Sequence, residues 1–158
     1  MVAEDIDGDE NLDLMITGND YGTEVAVGRY DAMNGLVLKG DGKGGFSALT
    51  LNRAGLFIPD DGKALASLTG PNNSFLIAAT QNRGPLKLFK HINPVKMVPV
   101  AQNDISAMLY LKSGKQRKTE LYFGSSFLSQ NSRHIPVGAP VNRIEITNTQ
   151  LQKRTIEP

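Results

Sequence analysis

Residues 5 to 13 of the chain read Asp-Ile-Asp-Gly-Asp-Glu-Asn-Leu-Asp, and an apolar stretch follows them directly. Oxygen-bearing side chains at alternating positions of a tight turn are typical of loops that bind calcium. Gly8 relieves the bend between two ligands, and Ile6 and Leu12 are expected to point toward a core. The predicted ligands, with Asn11 able to serve through its backbone carbonyl, are Asp5, Asp7, Asp9, Asn11 and Asp13.

The start of this loop is also compatible with an EF-hand, but the rest of it is not. An EF-hand needs glycine at its sixth position and a bidentate glutamate at its twelfth, where this chain has Glu10 and Ile16. The loop also runs into a predicted strand at 12–17, whereas an EF-hand loop runs into a helix. Two alternatives stay open, a solvated acidic turn that binds nothing specifically, and a magnesium site.

The charge distribution supports a cation near the N-terminus. Lys and Arg total 17 against 16 Asp and Glu, and this net charge of +1 predicts no general attraction to nucleic acid or to an anionic membrane. Residues 1–20 nevertheless carry seven acids and no Lys or Arg. The 158 residues allow one compact unit or a small pair of subdomains. With 0 cysteines, disulfides, thiolate metal sites and thiol nucleophiles are excluded.

Short apolar segments separated by Gly, Asn, Asp and Pro predict an all-β chain with many turns. No long amphipathic helix is predicted, and no apolar run approaches the roughly 18 residues that insertion across a membrane requires. The predicted strands are 12–17, 35–39, 46–50, 63–68, 74–79, 85–90, 95–101, 105–111, 119–123, 143–147 and 152–156.

A weak internal repeat organises these strands. Residues 13–19 and 35–39 parallel residues 74–80 and 85–90, and each copy reads as a four-stranded propeller blade. We therefore expect two β-propeller-type blades over residues 1–101, followed by a small strand-rich C-terminal segment over residues 102–158. Only the first copy carries the acidic loop. Two blades cannot close a ring, so their edges are expected to pair with another chain or with the rest of a longer parent protein.

Two stretches resemble known families. Residues 2–19 resemble the calcium loop and following strand of FG-GAP or VCBS repeats, the blades of integrin-like propellers, and the likeness extends loosely through 40–46. Residues 122–132, Tyr-Phe-Gly-Ser-Ser-Phe-Leu-Ser-Gln-Asn-Ser, resemble the Leu-Ser-Gln signature of the ASPIC/UnbV domain. The pairing implies the C-terminal end of a bacterial protein that is secreted, periplasmic or attached to the cell surface.

The function expected from this resemblance is a calcium-stabilised, non-enzymatic binding or adhesion module for protein or glycan ligands. The predicted ligand surface is a long loop that carries Tyr21, Arg29 and Tyr30. The two tyrosines could stack on sugar rings, or they could pack the loop against a neighbouring blade. Two other functions stay open, a purely structural domain that completes a larger propeller and an accessory part of a larger hydrolase.

Other motifs are weaker. The serines Ser125, Ser126 and Ser129 with His134 lack the Gly-x-Ser-x-Gly turn of a serine hydrolase, so no enzyme is predicted. The glycine-rich stretch 40–45 lacks the Gly-Lys-Ser/Thr ending of a phosphate loop and is predicted to be a hairpin turn. A basic cluster at 112–118 could touch nucleic acid or an acidic glycan. A solvated hairpin is favoured there, because no aromatic side chains are interleaved with it.

Overall fold

A computed structural model describes residues 1–124 and 129–158. The prediction of an all-β chain is confirmed, since 45% of the chain is strand and 5% is helix. The strands form several antiparallel sheets, and none of these sheets closes into a barrel. Among the described residues, no helix is both long enough and apolar enough to cross a bilayer.

Two sheets form the N-terminal part. The first is a meander of β1 (Val2–Glu4), β2 (Asp13–Ile16), β3 (Leu36–Gly40) and β4 (Phe46–Ala48), and a one-turn helix, α1 (Leu51–Ala54), follows it. The second is a meander of β5 (Gly62–Thr69), β6 (Phe75–Gln81) and β7 (Lys87–Lys90), with a 3₁₀ turn at Pro71–Asn73 between its first two strands.

Two further sheets form the C-terminal part. The strand β8 (Lys96–Pro99) pairs with β11 (His134–Val137). A four-stranded sheet has the order β10, β9, β12, β13, and its strands are β9 (Asp104–Leu111), β10 (Gln116–Glu120), β12 (Val141–Asn148) and β13 (Lys153–Ile156).

Each part has its own apolar core. The first core lies between the first two sheets and includes Met15, Leu65 and Ile77, all buried. The second core lies between the β8–β11 pair and the four-stranded sheet, and it includes Leu109 and Ile144. Alternate residues of each strand enter these cores, as the period of two in an extended chain requires.

The strand β8 contributes to both cores. Met97 packs in the first core, with Val95 against it, whereas Val98 packs in the second core, with Val100 against it. Successive side chains of a strand point to opposite faces, so this one strand covers both cores. The sequence predicts 95–101 as the last strand of the second blade, but in the structure β8 pairs with β11, across the predicted boundary at residues 101 and 102.

Three strands differ from the predicted set. The segments β1 and β11 are strands that the sequence reasoning missed, and β10 begins at Gln116, three residues before the predicted 119–123. The strand β1 has only one buried residue, and β11 contains Pro136, which argues against a strand. The strand β10 has no buried residue, so its charged residues carry no apolar signal of a strand.

A buried carboxylate holds the C-terminal part together. Asp104 is 1% exposed, and its Oδ2 accepts a hydrogen bond of 2.6 Å from the amide of Ala101. Arg154, on the edge strand β13, donates to both carboxylate oxygens at 2.5 Å. The Arg154 guanidinium lowers the pKa of Asp104, since it stabilises the ionised form against the cost of burial.

We expect Asp104→Asn to lower the free energy of unfolding at pH 7 by about 1–3 kcal/mol, the cost of leaving buried partners unmatched. Because the pKa of folded Asp104 lies below its unfolded value of about 3.9, this stabilisation is present above pH 4 and is lost as the pH falls. In urea unfolding, the difference in the free energy of unfolding between wild type and variant should be smaller at pH 3 than at pH 7. Glu145→Gln, which breaks a less buried pair with Lys153, is the control. A difference that stays constant with pH would contradict the role of Asp104.

Candidate metal site and ligand surface

A buried aspartate closes the acidic loop. Asp13 begins β2 and is 2% exposed. Its Oδ2 accepts a hydrogen bond of 3.0 Å from the amide of Ile6, and its Oδ1 accepts one of 2.9 Å from the amide of Gly40. A Cβ at Gly40 would lie 2.2 Å from the carbonyl oxygen of Leu12, so glycine is required there. The Asp13 carboxylate therefore joins the start of the loop to the end of β3.

A second aspartate shapes the turn itself. Asp5 accepts the amide of Gly8 at 2.8 Å and the amide of Glu10 at 3.0 Å, one on each carboxylate oxygen. Gly8 and Glu10 both have positive φ, 82° and 72°, and Glu10 takes this unfavourable conformation without being glycine. The Glu10 side chain accepts the amide of Ser113 at 3.1 Å, which ties the loop to the turn between β9 and β10.

Three of the five predicted ligands come together. One carboxylate oxygen each from Asp5, Asp7 and Asp13 lies within 4.8 Å of the other two. Calcium–oxygen distances are about 2.3–2.6 Å, so oxygens that share one ion lie no more than about 5 Å apart. The three carboxylates therefore fit a calcium ion by spacing and by chemistry.

Asp9, the fourth carboxylate predicted as a ligand, lies outside this cluster. Asp9 accepts the amide of Asn11 at 2.9 Å, and its second oxygen lies 3.1 Å from the ammonium of Lys39. The amide oxygen of Asn11 faces the next turn, where a Cβ at Gly42 would meet it at 2.2 Å. Leu12 is 42% exposed, in contrast to the expected core position, whereas Ile6 packs against the first core as expected.

Lys39 is the site residue that sequence reasoning missed. Its ammonium contacts Asp7 and Asp9, and the two carboxylates raise the pKa of Lys39. It lies beside Gly40 at the end of β3, 32 residues from Asp7 in sequence. The only signal for this contact is the pairing of β2 with β3, which puts Lys39 beside the loop.

The carboxylates differ in their tendency to ionise. Burial raises the pKa of Asp5, although two backbone amides and Arg117 oppose this effect. Burial also raises the pKa of Glu4 to about 8, again opposed by Arg117. For Asp9, burial is outweighed by the amide of Asn11 and by Lys39, so its pKa is lowered. Repulsion within the acidic loop is therefore balanced by protein groups, mainly amides and cations.

The three residues of the predicted ligand surface lie on the connection between β2 and β3. The guanidinium of Arg29 lies 4.8 Å from the ring centre of Tyr21, whose hydroxyl donates to the carbonyl of Pro59 at 3.3 Å. Tyr30 is 59% exposed and forms a single β-bridge with Asp20. Tyr21 thus packs within its own molecule, and Tyr30 is the more accessible aromatic ring.

Of the residues weighed for a serine hydrolase, the structure describes Ser129 and His134. Ser129 Oγ and His134 Nδ1 have no hydrogen-bond partner among the described residues. Ser125 and Ser126 lie outside the described residues, as does part of the stretch that resembles the ASPIC/UnbV signature.

We expect Asp13→Ala to lower the free energy of unfolding by about 1–3 kcal/mol even in the presence of a chelator, because the amides of Ile6 and Gly40 lose their acceptor. The matched control is Asp9→Ala, an exposed residue of the same loop, with a change within about 0.5 kcal/mol. Urea unfolding measures both. Equal losses in the two variants would show that Asp13 has no special structural role.

Comparison of the chain with protein-family models, with curated proteins and with solved structures finds no match. The resemblance to FG-GAP or VCBS repeats and to ASPIC/UnbV therefore stays a prediction that rests on the residues quoted above.

Proposed function

We propose that this chain is a calcium-stabilised, non-enzymatic binding or adhesion module of an exported or surface protein, with protein or carbohydrate ligands. The observation that carries the proposal is the cluster of Asp5, Asp7 and Asp13 at the entry to β2. A cation there joins the loop to the first sheet, and no catalytic role is assigned to it.

The chemistry of the cluster favours calcium. All three ligands are hard carboxylate oxygens, the type that calcium and magnesium both prefer. Magnesium demands near-ideal octahedral geometry and retains most of its waters, whereas calcium accepts irregular sets of six to eight oxygens. A loop with three converging carboxylates suits calcium better. Asp7 must release Lys39 before it can bind the ion fully.

We propose that the first two sheets are propeller-type blades. The first sheet is a four-stranded antiparallel meander whose acidic loop lies between its first two strands, which supports this assignment. The second sheet has three strands, and it packs against the first over a shared apolar core. The C-terminal sheets are the proposed ASPIC/UnbV-like segment.

The ligand surface is proposed on the loop that carries Tyr30 and Arg29. Its base is anchored by Asn19, which is buried and accepts the amides of Ala32 and Met33 at 3.0 and 3.1 Å. A rigid base below an exposed aromatic ring is typical of binding loops. We expect a glycan array or a protein pull-down to detect a ligand, and we expect Tyr30→Ala to weaken its binding. If neither method detects a ligand, the binding proposal is wrong.

A purely structural role in a larger propeller is the second candidate. The edge strand β4 is exposed along its whole length, and the edge strand β7 exposes Leu88 with 58% of its surface. Unpaired edges with apolar side chains tend to pair with other strands. Another chain or the rest of a longer parent protein is the proposed partner for these edges.

Calcium is expected to stabilise the protein. At a concentration about 100 times its dissociation constant, one bound ion adds about 2.7 kcal/mol, which raises the melting temperature of a protein of this size by about 5–10 °C. Differential scanning calorimetry in calcium, in magnesium and in chelator measures this shift. Asp7→Asn should lose most of it, and Glu24→Gln, which removes an exposed acid outside the cluster, should keep it.

Lys39→Gln provides the opposite test. Without the ammonium that contacts Asp7 and Asp9, the carboxylates are free for the ion, so calcium should bind more tightly than to the wild type. Titration calorimetry measures the affinity of both proteins. A melting temperature that is the same in calcium and chelator for wild type and for Lys39→Gln would refute the metal site.

A further inference from the structure

A large groove lies between the second sheet and the C-terminal sheets. Its volume is about 1000 Å³, at the upper end of the range for ligand sites. The 3₁₀ turn, the loop between β7 and β8, and the turn between β11 and β12 form most of its walls. Its described lining residues include neither Tyr30 nor any residue of the acidic loop 5–13, although two of them, His91 and Asn93, contact the carbonyl of Ile6 in that loop.

The groove is positively charged. Lys90, Lys96 and Lys112 line it, all three are exposed, and none forms a salt bridge within the described part of the chain. No Asp or Glu side chain is among its described lining residues. Three lysines that line one groove and form no salt bridge with a described residue attract an anion.

The rest of the groove surface is rich in amides. Asn72, Asn93 and Asn142 line it and are exposed. An amide offers both donors and an acceptor, which matches the hydroxyl groups of a sugar. In the described part of the chain, Asn72 and Asn142 make no side-chain hydrogen bond, and Asn93 donates one long bond of 3.4 Å to the carbonyl of Ile6. These groups are therefore available to a ligand.

We propose that this groove binds an anionic polysaccharide. The lysines contact its carboxylate or sulfate groups, and the asparagine amides contact its hydroxyls. The inference names a ligand class for the proposed binding function and rests on that function. The inference also gives Lys112 an acidic-glycan ligand, which the sequence alone did not favour. Lys96 and Lys90, which are 16 and 22 positions earlier in the chain, line the same groove as Lys112.

Two other polyanions fit less well. Single-stranded nucleic acid needs exposed aromatic rings for stacking, and Phe75, the groove's aromatic residue other than His91, is 4% exposed. An acidic peptide is usually bound by an open strand edge, which pairs with its backbone. Here loops and turns supply most of the groove surface.

Fluorescence anisotropy with labelled oligosaccharides tests the proposal on the full chain. The probes are a sulfated and a uronic-acid oligosaccharide, with a neutral oligosaccharide of equal length and a poly-glutamate peptide as comparisons. We expect binding of one or both anionic sugars and weaker binding of the others. The triple variant Lys90→Gln, Lys96→Gln and Lys112→Gln should weaken binding at least about tenfold, or about 1.4 kcal/mol. Asn142→Ala should weaken sugar binding more than peptide binding.

A second triple variant provides the control for net charge. It carries Lys43→Gln, Lys87→Gln and Lys115→Gln, which remove three lysines that do not line the groove. Equal weakening by the two triple variants overturns the groove site and leaves the binding function intact. Binding of the neutral sugar or the peptide alone overturns the ligand class. If no probe binds, this inference is wrong. The proposed function is tested separately, by the shift in melting temperature with calcium and by the glycan array.

Discussion

The carboxylate of Asp13 is the contact on which the N-terminal part depends. It is buried, and each of its oxygens accepts a backbone amide, one from the loop and one from the end of β3. A buried carboxylate without such donors is costly, so loop and sheet are formed together or not at all. The calcium ion proposed above would complete an arrangement that backbone hydrogen bonds have already prepared.

The same loop shows how cations compete for carboxylates. Lys39 reaches two of the acids that the sequence assigns to a metal, and a lysine carries one charge where calcium carries two. The ammonium offers hydrogen bonds but can hold only a few oxygens, whereas calcium gathers six to eight. Under the proposed function, the lysine holds the loop in shape when calcium is scarce. Exchange between the two cations would then change the local charge while the hydrogen bonds of Asp13 stay in place.

The sequence is enough to predict the all-β class and most strands, because alternating apolar residues and turn residues are local signals. It also predicts the acidic loop and three converging carboxylates, since their spacing in a tight turn is short-range. It does not reveal Lys39, which reaches the loop only through the pairing of β3 with β2. Nor does it reveal the partner of β8, because Pro136 hides the strand character of β11 and the pairing joins segments far apart in sequence. What the sequence leaves out is therefore set by long-range contacts.

The two-faced strand β8 has a consequence for the order of folding. Its partner, β11, ends at Val137. During synthesis, β8 therefore has no partner strand until about forty more residues have been added. Met97 packs in the first core and the next residue, Val98, packs in the second. We therefore expect Met97 to be held firmly only after the second core has formed around Val98. An exposed strand of this kind invites wrong pairings, but Lys96 and Pro99 at its two ends are residues that discourage them. The N-terminal sheets thus reach their final stability only after the C-terminal half has been made.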